Sequence, residues 1–178
     1  MAKVKVATSW LDVCAGCHMS LLDVDEAIID LANALEFTRS PITDIKEFPE
    51  VDVGIISGAI GNTEQEAEAR ELREKCKILM VMGDCACFGG IPSMRNAFSK
   101  EEVLRRVYIE SESTKGGKIP SSPEIPPLLE KALPVNAVVK VDCFVPGCPP
   151  RAEALKYALT ELLSGRIPVL PGEMMRFD

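Results

Sequence analysis

The sequence predicts an α/β fold, a doubly wound and mostly parallel sheet covered by helices on both faces. Apolar residues make up 47% of the 178-residue chain and aromatics only 5%, so the interior is built from Val, Ile, Leu and Ala, as in sheets buried on both sides. Apolar runs of strand length alternate with stretches of helical period, the pattern of strand, crossover, strand. This length suits one sizeable core and is short for two.

Residues 3–9 (KVKVATS) alternate toward one apolar face and read as the first strand, ending at Trp10 and a short loop that holds Cys14, Gly16 and Cys17. A single helix is expected next. Leu21, Val24, Ile28, Leu31 and Leu35 recur at spacings of three and four, and Asp23, Asp25 and Glu26 occupy early turns, where the helix dipole favours negative charge. An extended piece over residues 36–40 is stopped by Pro41, and VDVGIIS, residues 51–57, is a further strand. Gly58 and Gly61 turn the chain. Thr63 with Glu66 makes a capping-box signature for a solvated helix, supported by the pairs Glu66/Arg70 and Glu71/Lys75.

KILMVM, residues 77–82, is the run expected of a strand covered on both faces, and it leads into the glycine-rich loop GDCACFGGIP. Ser99 and Glu102 repeat the capping-box pattern before a short helix ending near Val107. Residues 108–127 are polar, rich in Ser, Gly and Pro and without a period; they form either a disordered excursion or a segment ordered by a partner subunit. AVVKV, within residues 136–142, is the last expected strand and delivers the chain into CFVPGCPPR. The final helix has Pro149 and Pro150 in its first turn, Ala152, Leu155, Leu159 and Leu162 as its buried stripe, and Gly165 as its stop. Residues 1–165, including the loop 108–127, therefore form one domain, and residues 166–178 a tail lying across a surface.

Lys and Arg total 20 against 27 Asp and Glu, a net charge of -7, which leaves no basic field for a nucleic acid backbone. The apolar stretches are of strand length, and the amino terminus carries neither a secretory apolar core nor a twin-arginine pair. No membrane insertion and a cytoplasmic location are expected.

The chain has 7 cysteines and 1 histidine, His18. An odd number in a reducing setting argues against a disulfide framework, and zinc sites that need two imidazoles are excluded. Cysteine-bearing segments at 14–17, 85–87 and 143–148 each come after an expected strand. In a doubly wound sheet such segments emerge together at the carboxyl edge, so distant cysteines converge there. Soft thiolates select zinc or an iron-sulfur centre. Structural zinc takes two close pairs on small loop-rich units, whereas one pair followed by scattered cysteines on a full-sized core favours iron-sulfur. Gly16, Gly83, Gly89, Gly90 and Gly147 permit turns whose N–H groups point at sulfur.

At this level Cys87 competes with Cys85, and Cys143 with Cys148, while Cys76 reads as a packing residue at the end of a charged helix. His18 either serves a cluster or a partner, or is an ordinary buried histidine. Trp10 either shields a cluster or fills the sheet end. Arg151 and Glu153 read as a solvated pair. A flavin-binding domain would need a Ser/Thr/Gly-rich phosphate loop where DVCAGC stands; a zinc-stabilised assembly module is the other competing class.

WLDVCAGCHMS, GDCACFGG and VPGCPPR together resemble the small subunits of nickel-iron hydrogenases and, more distantly, the cluster-bearing subunit of respiratory complex I. The resemblance implies a flavodoxin-like three-layer sandwich holding one 4Fe-4S cluster on Cys14, Cys17, Cys85 and Cys148, with no cysteine left beyond Cys148 for a second. Complex I relatives have two adjacent cysteines at the first site; here Ala15 and Gly16 separate them, which is similar to the hydrogenase branch. It further implies that hydrogen is split at a nickel-iron centre on a separate large subunit, so no catalytic residue is expected on this chain. The short form and the CHMSLLDVD wording are most similar to soluble NAD-reducing hydrogenases, with FMN and NAD on diaphorase partner subunits. The small subunit of a coenzyme F420-reducing or other cytosolic hydrogenase is the alternative, because a partner chooses the acceptor, as is a complex I-like cluster subunit.

Overall fold

The computed structural model describes residues 3–175. From the amino end the chain runs through β1 (Val4–Trp10), α1 (Gly16–Leu22), α2 (Ala27–Ala34), β2 (Leu35–Arg39), β3 (Val51–Ser57), β4 (Ile60–Asn62) and α3 (Thr63–Lys75). It continues with β5 (Cys76–Met82), α4 (Asp84–Phe88), α5 (Lys100–Tyr108), β6 (Leu128–Leu133), β7 (Cys143–Val145) and α6 (Ala152–Leu163). The main sheet has the order β2-β1-β3-β5-β7, and every pairing in it is parallel. Counting only these strands, this is the flavodoxin-like order, with the reversal between β1 and β3.

Side chains that alternate along the strands divide the core in two. Val6, Ile55, Met80, Met82 and Val145 pack with Leu21, Leu31, Leu155 and Leu159 from α1, α2 and α6. Ala7, Ile56, Leu79 and Val81 face the other way, onto Ala69 and Leu72 of α3, Ala86 of α4 and Val135. Ile55, Ile56, Leu79 and Met80 are fully buried, so the three layers implied by the resemblance are present.

Several elements depart from the sequence reading, each for a local reason. The one helix expected across Leu21 to Leu35 is two, because Asp23 closes α1 by donating to Met19 and Ser20 and the chain then bends at Asp25, φ 54°. Aspartate tolerates this left-handed conformation better than most residues. Leu35 leaves the helical stripe to pair with Val4 in the sheet, while Leu21, Val24 and Leu31 stay buried. The capping box of α3 lies one residue earlier than Thr63/Glu66: Asn62 Oδ1 accepts from Gln65 N at 2.8 Å, and Gln65 Oε1 accepts from Asn62 N at 3.2 Å. The Glu66–Arg70 pair forms at 2.8 Å, whereas Lys75 reaches Glu50 at 3.1 Å.

The strand expected from AVVKV is displaced. Residues 135–137 make a 3-10 turn, Val138, Val139 and Val141 pack beneath the sheet, and the ladder begins only with Met80 opposite Cys143. Asp142 explains the onset, since its carboxylate accepts from Leu79 N at 2.8 Å and pairs with Arg73. The GDCACFGG segment holds the short helix α4 rather than a loop throughout. A two-stranded antiparallel sheet of β4 and β6, with Ile60 opposite Leu133, went unread in the sequence; Arg95 braces it by donating to the carbonyls of Gly61, Leu129 and Glu130. In the tail Leu170 and Met174 pack partly onto the first core cluster, and residues 176–178 lie outside the described residues. Among the described residues no helix is long and apolar enough to cross a membrane.

Candidate metal centre

Three strand ends supply the site. After β1, Leu11 N donates to Ser57 O at 2.9 Å, and Asp12 exchanges backbone hydrogen bonds with Ala59 at 2.9 and 3.0 Å. The loop leading to Cys14 is thus tied to the turn after β3. Gly58, at φ 96°, is required there, because a Cβ would stand 2.9 Å from both Asp12 N and Val13 Cβ. Between the two cysteines Ala15 takes φ 68°, ψ -4°, a conformation costing an L residue about 1–2 kcal/mol. Ala15 O then accepts from His18 N and Met19 N at 3.0 and 3.1 Å, which starts α1 at once and turns Cys17 inward.

The turn after β5 is stitched to the loop after β7. Gly83 N donates to Val145 O and Asp84 N to Gly147 O, both at 2.8 Å, while Gly147 N returns a bond to Asp84 Oδ1 at 2.7 Å. This reciprocal clasp sets Cys85, in the first turn of α4, beside Cys148. The third connection comes from Ser20 on α1, whose hydroxyl donates to Pro150 O. Asp84 and Ser20 were not singled out from the sequence; an aspartate immediately before Cys85 was the one available signal.

All four expected sulfurs share one neighbourhood. Burial pushes the Cys17 thiol up to about 12, and the charges of Cys85, Cys14 and Cys148 push it the same way. Burial is also the main cause raising Cys85; the backbone N–H of Ile91 opposes it, while Cys148 and Cys14 add to it. Cys17 is buried, Cys85 half-buried, Cys14 and Cys148 exposed, and all are free thiols. Glycines press directly on the sulfurs: a Cβ at Gly83 would lie 2.3 Å from Cys17 Sγ, at Gly90 3.0 Å from Cys85 Sγ, and at Gly16 3.3 Å from Cys14 Sγ.

Cys87 and Cys143 are buried in the two core clusters, each with its thiol pushed up to about 12 by burial first. Cys76 packs against Gly54, where a Cβ would come within 2.9 Å of its sulfur. His18 is buried, its Nδ1 3.1 Å from Ser57 Oγ and its ring edge-on to Trp10 with centroids 5.1 Å apart. Burial lowers its pKa to about 4, so the imidazole is neutral at physiological pH.

This all-thiol donor set fits an iron-sulfur cluster. Four thiols in one neighbourhood, with a backbone N–H on one of them and glycines where a Cβ would press on three of the sulfurs, suit such a cluster.

The family model for the NADH ubiquinone oxidoreductase 20 Kd subunit matches residues 14–162. The NAD-reducing hydrogenase HoxS subunit delta of Cupriavidus necator is 39% identical, over 99% of this chain and 86% of its own length. A crystal structure of an NAD+-reducing [NiFe]-hydrogenase in the H2-reduced state contains a chain 40% identical, superposing with a TM-score of 0.95 over 99% of this chain and 100% of that one. A subunit of the F420-non-reducing hydrogenase of Methanococcus voltae is 40% identical over 97% of this chain, which spans 61% of that protein's length.

Proposed function

Because this chain belongs to the family of the NADH ubiquinone oxidoreductase 20 Kd subunit and of hydrogenase small subunits, we propose that it is the electron-transferring small subunit of a nickel-iron hydrogenase, holding one 4Fe-4S cluster on Cys14, Cys17, Cys85 and Cys148. The observation that carries this reading is the convergence of three strand ends, which makes Cys17 respond to the charges of the other three thiols. When bound, such a cluster accepts and passes on one electron at a time.

The chain's own residues would hold and tune it. Cys17 anchors the site from inside, and the ring of the next residue, His18, meets Trp10 edge-on. The Asp84–Gly147 clasp fixes the spacing of Cys85 and Cys148, and the Ile91 N–H on Cys85 favours the thiolate. Cys14 and Cys148 lie at the surface, where electrons can pass to and from neighbours. The large subunit with its nickel-iron centre would dock over this edge, and diaphorase subunits carrying FMN and NAD would take the electrons on in the cytoplasm.

A different acceptor is the second reading, supported by the M. voltae relative whose name excludes F420 as its acceptor. The NAD-reducing reading is preferred because this chain covers 86% of the C. necator relative's length against 61% of the other's. Anaerobic copurification with the native partners tests both. Four irons per chain, broad brown absorbance and hydrogen-driven NAD+ reduction are expected; a colourless chain containing zinc overturns the cluster, and hydrogen oxidation without NAD+ reduction overturns the acceptor.

A further inference from the structure

The N–H on Cys85 belongs to a segment that the core does not hold. After α4 the chain turns back over Cys85: Gly89 and Gly90 take φ 91° and 44°, and a Cβ at Gly90 would stand 2.8 Å from Cys85 N and 3.0 Å from its sulfur. Ile91 follows, and its N–H donates to that sulfur. Beyond it the 3-10 turn Pro92–Ala97 has no buried residue, and Phe88, Ile91, Met94 and Phe98 are all exposed. Apolar burial acts in proportion to area and has no direction, so it does little to fix this segment.

Directional bonds take its place. Asn96 Nδ2 donates to Ala132 O and Asn96 Oδ1 accepts from Ala132 N, both at 2.8 Å, so the side-chain amide pairs with β6 as the backbone of a neighbouring strand would. Ala132 is 1% exposed, and a buried peptide group that loses these partners is left unsatisfied. Arg95 adds its bonds to Gly61, Leu129 and Glu130. At the near end Ser93 Oγ donates to Gly90 O at 2.8 Å, and Ser93 N to Gly89 O at 3.1 Å. A continuous link therefore runs from β6 to the donor on Cys85.

We propose that Asn96 is a positioning residue for the cluster: by pinning the Pro92–Ala97 turn to β6 it holds the Ile91 N–H on Cys85, and so raises the cluster's reduction potential. The inference rests on the cluster reading given above. A donor to a ligand sulfur favours the more negative, reduced cluster, so loosening that donor lowers the potential. Asn96 is uncharged, and replacing it with alanine acts through position instead of through charge.

A redox titration of the anaerobically purified full chain, followed by electron paramagnetic resonance, tests it. At a fixed potential Asn96→Ala should lower the ratio of reduced to oxidised cluster about tenfold, a shift of about 59 mV to the negative side for one electron, with four irons per chain retained. Ser93→Ala should shift the potential the same way by less. Asn62→Ala, which removes the cap of α3, should lower the unfolding temperature and leave the potential where it is. An unchanged potential in Asn96→Ala at full iron content would overturn the positioning role alone, as would an equal shift in Asn62→Ala. If Asn96→Ala loses its iron, Ser93→Ala decides: a lowered potential supports the role and an unchanged one overturns it. A parent chain without four irons would overturn the cluster, and this proposal with it.

Discussion

The carboxyl edge of the sheet and its packed interior both hold cysteines, and the backbone treats the two sets differently. At the edge, Cys14, Cys17, Cys85 and Cys148 sit on turns that contain a left-handed alanine, glycines at φ 88° and 44° and reciprocal backbone clasps. In the interior Cys76 and Cys143 begin regular strands and Cys87 closes a helical turn, all packed among aliphatic side chains. Strain is concentrated where sulfur is presented and absent where sulfur only fills space. Residue type therefore says little about a cysteine's role, and its place relative to a strand end says much.

Exchanging one member of each set gives the sharpest test. Cys85→Ser should abolish the cluster absorbance and the hydrogen-driven electron transfer, while Cys76→Ser keeps both; equal losses would erase the distinction between edge and interior. Gly83→Ala follows in size. The added methyl would meet Cys17 Sγ at 2.3 Å in a backbone at φ 88°, so a destabilisation of about 3 kcal/mol in thermal unfolding is expected, with iron content falling alongside. Cys143→Ser buries a hydroxyl in an aliphatic cluster and should cost about 1–2 kcal/mol without changing the iron-to-protein ratio.

The smallest effect belongs to Asp142, which immediately precedes β7. Burial opposes its charge, but the Leu79 N–H and Arg73 outweigh burial and hold the carboxyl below its ordinary value. A lowered folded pKa means that the stabilisation is complete above the unfolded value near pH 4 and is lost as pH falls through the folded value. Asp142→Asn should cost about 1 kcal/mol at neutral pH, and urea titrations at falling pH should show the difference from the parent chain shrinking below about pH 4. A difference that persists at pH 2 would mean that Asp142 acts through shape instead of charge.

Much of the architecture is legible from local pattern. Alternation in residues 3–9 and the apolar runs at 51–57 and 77–82 place β1, β3 and β5 within a residue or so, because their periods serve the ladder and the core at once. The cysteine-bearing turns after β1 and β5 follow from those strands. At AVVKV the same kind of pattern misleads, since the valines pack against the second core cluster and the chain joins β5 only at Asp142, which bonds Leu79 through both its backbone N–H and its carboxylate. In the stripe from Leu21 to Leu35 the apolar residues all join one core cluster, but they are wrongly read as one helix.

The sequence by itself determined the layered α/β class and which thiols are candidates, because periodicity, glycine and cysteine act within a few residues of themselves. Tertiary structure alone decided which thiols meet, where the crossover helix breaks and that β4 finds β6, since each depends on partners distant along the chain. Cys85 stands beside Cys148 only because Asp84 and Gly147, 63 residues apart, exchange hydrogen bonds.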